Sequence, residues 1–148
     1  MRDYTKIKAW QLADDLTVAV YELTKKFPME EIYGITSQLR RAAYSVRANI
    51  VEGSSRDSKR DYLHFLYIAR GSLSETRYFI HLSARLNYLK KEESNHLSGQ
   101  TIETLSCLAG LIKAVEGEAG KFRKIAAVIT AALAIALMRS VGGLRSMV

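Results

Sequence analysis

The sequence predicts an all-α protein, an antiparallel up-and-down four-helix bundle, and three observations carry that expectation. Apolar residues recur at alternating intervals of three and four along four successive segments, which places them on one stripe of a helix. One proline and nine glycines in 148 residues leave little to interrupt long helices. The breaks between the segments are short, and short connections make consecutive helices antiparallel neighbours.

The first segment gives Ala13, Leu16, Val20, Leu23 and Phe27. Pro28 closes it, because proline disfavours helical geometry in the residue before it. The second gives Ile32, Ile35, Leu39, Ala42, Val46 and Ile50 and runs to about Gly53. Residues 54–57 form a polar turn. Ser58, three residues before Asp61, then fits a helix cap of the capping-box kind, with a shorter acid than the usual Glu. The third segment gives Tyr62, Phe65, Ala69, Leu73, Thr76, Ile80 and Ser83 and ends near Tyr88. After the polar residues 90–95, the fourth gives Thr101, Leu105, Leu108, Ile112 and Val115 and weakens near Gly117 and Gly120.

Residues 121–148 differ in kind. Residues 125–138 are apolar or small apart from Thr130, and basic residues flank them. This extra apolar helical segment is shorter than the roughly 20 residues that cross a bilayer as a helix. Three readings stand: a helix buried against the bundle or a second subunit, an interfacial membrane contact favoured by the basic flanks, or an atypical chain end. The expected organisation is a bundle domain over residues 1–120 and a basic, apolar tail over 121–148.

The formal charge of +7 is uneven. The tail holds five basic groups and no acid, which leaves 17 basic against 15 acidic groups before it. Net charge alone is therefore a poor argument for nucleic-acid binding. A lone cysteine, Cys107, excludes an intrachain disulfide, and the polar first ten residues lack the apolar core of a secretion signal. The expected location is the cytoplasm.

No catalytic or metal-binding pattern emerges. His64, His81 and His96 lie more than four residues apart, so with one cysteine they lack zinc-site spacing. Cys107 falls within the apolar rhythm of the fourth helix, where a small buried thiol is the default. No glycine-rich phosphate loop is present. Di-metal bundles place a His three residues after a Glu, whereas Glu52 and Glu75 are followed there by Ser55 and Tyr78. The expectation is a protein with no catalytic residue, metal or cofactor.

Three surfaces remain. Gln38, Arg41, Ser45, Asn49 and Glu52 form a polar strip on the second helix, either a solvated flank or a hydrogen-bonded seam. In the seam reading Glu75 of the third helix takes part, and Glu52 faces Arg70 or Arg77. Ile68, Phe79, Leu82 and Leu86 widen the apolar arc of the third helix beyond what a bundle helix needs, which points to a second subunit unless the fourth helix or the tail covers them. The outward side of the third helix carries Tyr67, Arg70, Ser74, Arg77, Tyr78, His81 and Arg85. The preceding bend adds Arg56, Lys59 and Arg60, and the second helix adds Arg40, Arg41 and Arg47. Residues 35–88 hold nine basic groups against four acidic. Rings that stack on bases, interleaved with cations that meet phosphates, suit RNA, although a solvated charged face has a similar composition.

The residues also resemble a known family. The runs Gln38-Leu-Arg-Arg-Ala-Ala-Tyr-Ser45 and Ala48-Asn-Ile-Val-Glu-Gly53 are similar to the bacterial four helix bundle proteins encoded by intervening sequences of 23S ribosomal RNA genes. Ala9-Trp-Gln11, Phe27-Pro28, Tyr33-Gly34, Gly71-Ser72 and Leu86-Asn-Tyr-Leu89 fit the same pattern in order, over about residues 4–118. That family is similar in turn to the accessory variability protein of diversity-generating retroelements, a ring of five bundles that binds reverse transcriptase and RNA. The resemblance implies a homo-oligomer, a pentamer by that analogy, with a nucleic-acid-associated role and no catalysis. Two features depart from it: Arg47 stands where many members have proline, and the tail has no counterpart.

Two functions follow as expectations. One is a non-enzymatic, oligomeric bundle that binds RNA or an RNA–protein complex through a basic surface on the second and third helices. The other is an interaction adaptor that docks a protein partner, such as a reverse transcriptase, without touching nucleic acid.

Overall fold

A computed structural model describes the backbone of residues 2–144 and the side chains of residues 2–117. Four helices follow one another: α1 (Lys8–Thr24), α2 (Ile35–Ser55), α3 (Lys59–Arg85) and α4 (Lys91–Leu144). Single 3-10 turns, Tyr4–Lys6 and Met29–Glu31, precede α1 and α2, and no strand occurs among the described residues.

The pairing is antiparallel, and the cross-helix contacts show it. From the end of α1 to its start, Thr24 meets Arg40, Thr17 meets the Ala43 carbonyl and Asp14 meets Arg47. Between α2 and α3, Arg41 reaches Glu75, Ser45 reaches Ser72, and Gly53 lies against Tyr62 and Phe65. In each series the numbers rise on one helix as they fall on the other. The first residues of α4 lie beside the end of α1, where Glu93 pairs with Lys26.

The core stripe follows the predicted spacing. Ala13, Leu16 and Val20 of α1, Leu39, Val46 and Ile50 of α2, Leu66, Leu73 and Ile80 of α3, and Leu97 and Leu108 of α4 are all buried. Hydroxyls share this core, and each donates back along its helix: Thr17 to Ala13, Thr76 to Ser72, and Thr101 to Leu97, at 2.7–2.9 Å. A buried hydroxyl so paired avoids the desolvation cost of an unmade bond.

The helix ends differ from expectation in instructive ways. α1 stops at Thr24, before the predicted stripe ends, and Phe27 is buried from the following turn, against Tyr88 at 5.5 Å. Ile32 lies outside α2 in the connecting turn and is exposed. Gly34 has no side chain to cap α2, so the Glu31 carboxylate accepts the Ile35 N–H instead, at 2.9 Å. The Ser58 hydroxyl does cap α3, accepting the Asp61 N–H at 3.1 Å. α3 closes on a left-handed Asn87 (φ 59°), with N–H bonds from Asn87 to Ala84 and from Tyr88 to Ser83. This is the Schellman arrangement with Asn in place of Gly. α2 runs unbroken through Arg47.

By internal packing the chain divides into two compact units, residues 1–113 and 114–148. In the second, residues 114–144 are helical, within α4, with no interruption at Gly117 or Gly120. The side chains of the apolar run 125–138 lie outside the described residues. Among the described residues no helix is long and apolar enough to cross a membrane.

Candidate nucleic-acid interface

α2 separates the arginines that the sequence reading had joined in one surface. Arg40 and Arg47 turn towards α1, and Arg41 turns towards α3. A helix repeats every 3.6 residues, so positions 40, 44, 47 and 51 share one flank and 38, 41, 45, 49 and 52 the other. On the α1 side, Arg40 Nε donates to Thr24 Oγ1 at 2.7 Å, and its guanidinium lies 4.9 Å from the centre of the Tyr21 ring. Arg47 is ion-paired with Asp14.

The polar strip on the α3 side is a hydrogen-bonded seam in its middle. Ser45 Oγ and Ser72 Oγ are 3.0 Å apart, and Asn49 Nδ2 donates to the Ser45 carbonyl at 2.8 Å. Arg41 Nε donates to Gln38 Oε1 at 3.2 Å and its guanidinium comes within 4.0 Å of Glu75. The expected partner of Glu52 is corrected: Glu52 pairs with Arg56, one turn on at the end of α2, and not with Arg70 or Arg77 on α3. Those two arginines lie on the flank of α3 turned away from α2, whereas Ser72 and Glu75 face it. Arg56 also stacks over Phe65 at 5.1 Å and accepts a bond from Arg2 on its carbonyl.

α3 therefore has two unlike sides. The side bordering α2 holds the helix's two acids, Asp61 and Glu75, and the apolar residues singled out from the sequence. Of these, Phe79 and Leu82 are half-buried within the chain, while Ile68 and Leu86 stay exposed at 39% and 44%. Leu86 sits in the cap just past the helix. The other side carries Arg60, Arg70, Arg77 and Arg85, all exposed. Among the described residues none of the four has a carboxylate within ion-pair distance. Tyr67 and Tyr78 stand between them, the second 57% exposed. Arg70 lies 4.7 Å over the Tyr67 ring. Lys59 opens the helix and is half-buried.

The sequence reading missed a groove between α1 and α2. A depression of about 430 Å³ is lined by Tyr4, Trp10, Tyr21, Tyr44, Arg47, Ala48, Val51 and Glu52. A second, of about 380 Å³, shares Tyr21 and Tyr44 and continues past Ile32, Thr36, Arg40 and Arg41. The legible signal was the set of large rings lying off the core stripes, at Trp10 and Tyr21 on α1 and at Tyr44 on α2.

Among the described residues no three His, Cys, Asp or Glu side chains gather as a metal site. Cys107 is free and half-buried.

These features define a helical-bundle protein that presents arginine and tyrosine on two separate surfaces. The chain belongs to the family of 23S rRNA-intervening sequence proteins, whose sequence model matches residues 5–110. It is also similar to a crystallised protein of unknown function from the S23 ribosomal protein family of Bacteroides thetaiotaomicron. The two are 25% identical with a TM-score of 0.66, over 71% of this chain and 95% of that one. No curated protein matches the sequence.

Proposed function

We propose that the protein is a non-enzymatic, homo-oligomeric bundle that binds RNA or an RNA–protein complex, with the outer flank of α3 as its main phosphate-binding surface. One observation carries this reading: four exposed arginines and two tyrosines share a flank from which the helix's acids are absent. Cations without an internal carboxylate partner lose little by meeting phosphates, and each contact releases counterions. Arg41 and Arg56, already engaged within the chain, and Lys59 at the helix start add field more than contacts. The family's name makes ribosomal RNA the natural first probe.

Filter binding of the full chain to a structured 23S rRNA fragment tests the reading. Affinity should fall steeply as salt rises. Affinity absent at low salt, or unchanged with salt, overturns it.

The exposed Ile68 and Leu86 on the other side of α3 favour a second copy as partner, the pentameric ring being the arrangement that the resemblance implies. Light scattering that returns a single-chain mass rejects this part. The adaptor function is separated by Arg70→Glu and Arg77→Glu. If these variants keep a protein partner and the wild-type chain never carries RNA, the adaptor is the right description.

A further inference from the structure

We infer that the groove between α1 and α2 is a second subsite, for single-stranded nucleic acid: unpaired bases pack against Tyr21 and Tyr44, and a backbone phosphate sits on Arg40. The inference rests on the RNA-binding reading but concerns a different surface from the α3 flank.

The rings supply the first part of the argument. Tyr21 and Tyr44 are 40% and 42% exposed, on facing helices, and both line the two depressions, which makes these one continuous groove. Exposed rings of this kind bind bases by stacking, and only bases outside a duplex offer their faces.

The charge supplies the second part. Arg40 is half-buried, and among the described residues no carboxylate lies within ion-pair distance of it. A neutral hydroxyl on Thr24 and the ring of Tyr21 hold it in place. Half-buried cations ordinarily sit with an anion, so this one is poised for an anion from outside. Four residues before it on the same helix, Thr36 also lines the groove; it is 5% exposed and its hydroxyl is buried without a hydrogen-bond partner. A phosphate oxygen accepts from the Arg40 guanidinium, where an apolar occupant would leave that cation without an anion. The other charged groups of the lining are already matched, Arg41 by Glu75, Arg47 by Asp14 and Glu52 by Arg56, which leaves the cation of Arg40 as the one without a carboxylate there among the described residues. The nearby Glu31 carboxylate is likewise engaged, by the Ile35 N–H and the Tyr88 hydroxyl. The balance favours a polyanion over a hydrophobic peptide.

The chain contains its own reporter. Trp10 is its single tryptophan and lines the groove, so a base entering there quenches its fluorescence. The experiment titrates the full chain with a short oligoadenylate and, separately, with a blunt RNA duplex, following both Trp10 emission and anisotropy of labelled RNA. The oligoadenylate should quench Trp10 and the duplex should not. Tyr44→Leu should weaken oligoadenylate binding about 5–150-fold, the usual worth of one stacked base. Tyr21→Leu serves as the second variant, and thermal melting checks that each still folds. RNA binding with Trp10 emission unmoved and both variants at wild-type affinity overturns the subsite while leaving the α3 flank in place. Equal quenching by the duplex overturns its single-strand character. No binding of any RNA overturns the RNA-binding reading and this inference with it. Quenching by an added peptide but by no RNA assigns the groove to a protein partner and also overturns the inference.

Discussion

In the groove between α1 and α2 the arginines are held: Arg47 by Asp14, Arg40 by the Thr24 hydroxyl and the Tyr21 ring. On the outer flank of α3 the same residue types stand in the open, with Arg60, Arg77 and Arg85 on long, unrestrained side chains. The difference is one of preorganisation. A held guanidinium has already lost its rotamer freedom, so a ligand that fits gains more and a ligand that does not fit is rejected. A free one accommodates any phosphate and loses its grip as salt rises. The flank is built for capture and the groove for discrimination, and the two respond differently to substitution.

The largest effect is expected on the flank. Replacing Arg60, Arg70, Arg77 and Arg85 together by Gln removes four phosphate contacts. The slope of log affinity against log salt for single-stranded RNA should fall by about three, and affinity at low salt should drop on the order of a hundredfold. The unfolding midpoint should hardly move, because exposed substitutions of this kind stay within about 0.5 kcal/mol. Filter binding and urea unfolding of the one variant test both halves. A large loss of stability would mean that these side chains hold the bundle together.

A contrast of the same kind separates two glycines. A Cβ on Gly53 would stand 2.9 Å from Phe65 Cβ and 3.0 Å from Tyr62 Cδ2, where α2 crosses α3. Tyr62 has no room to give way: it is 2% exposed, and its backbone carbonyl oxygen stands only 3.3 Å from the same point. Gly53→Ala should therefore cost about 1–2 kcal/mol, overpacking outweighing the better helix propensity of alanine. A Cβ on Gly71 meets nothing within 4 Å, so Gly71→Ala should stabilise by roughly 0.5–1 kcal/mol. Denaturant midpoints decide the signs, and two changes of the same sign would remove the contrast.

How much of this was readable beforehand varies along the chain. The helices were legible because their stripes are nearly uninterrupted: Leu39, Val46 and Ile50 are all wholly buried, as their spacing demands. The seam was legible as a strip, since Gln38, Arg41, Ser45 and Asn49 fall on one flank. Its partners were not, because a ladder of polar residues does not say which way the neighbouring helix turns. Glu52 shows this, having found Arg56 at the end of its own helix in place of an arginine on α3. The same limit joined Arg40 and Arg47 to the flank of α3, although half a turn of helix separates the two directions. Phe27 escaped for a different reason: a buried ring in a turn keeps the apolar rhythm after the helix has ended.

A smaller effect tests the held side of the comparison. Asp14→Asn releases Arg47 without changing the shape of the groove. Both partners are about a third exposed, so solvent screening limits the loss to roughly 0.5 kcal/mol. The freed cation should raise affinity for oligoadenylate a few-fold at low salt and add about 0.7 to the salt slope, one more phosphate contact. Anisotropy titrations at two salt concentrations measure it. Unchanged affinity would place Arg47 outside the path of the strand.

The smallest effect is electrostatic and lies at the start of α4. Glu93 accepts the Lys90 N–H at 2.8 Å, capping the helix, and pairs with Lys26 beyond the end of α1. The hydrogen bond from Lys26, then that from Lys90, holds its carboxyl below the ordinary glutamate value. A value lowered in the folded chain means that the unfolded chain binds the proton more tightly. The contribution is therefore complete above the ordinary carboxylate value and drains away as pH falls through the folded one. Unfolding midpoints should decline over that acidic window in the wild-type chain, and the decline should be shallower in Glu93→Gln. Salt should erase the difference, because the pair is open to solvent and screening acts on it as it acts on the free arginines of α3. Parallel pH curves for the two proteins would assign the anchoring of α4 to Leu97 and the apolar residues after it, and leave Glu93 a cap alone.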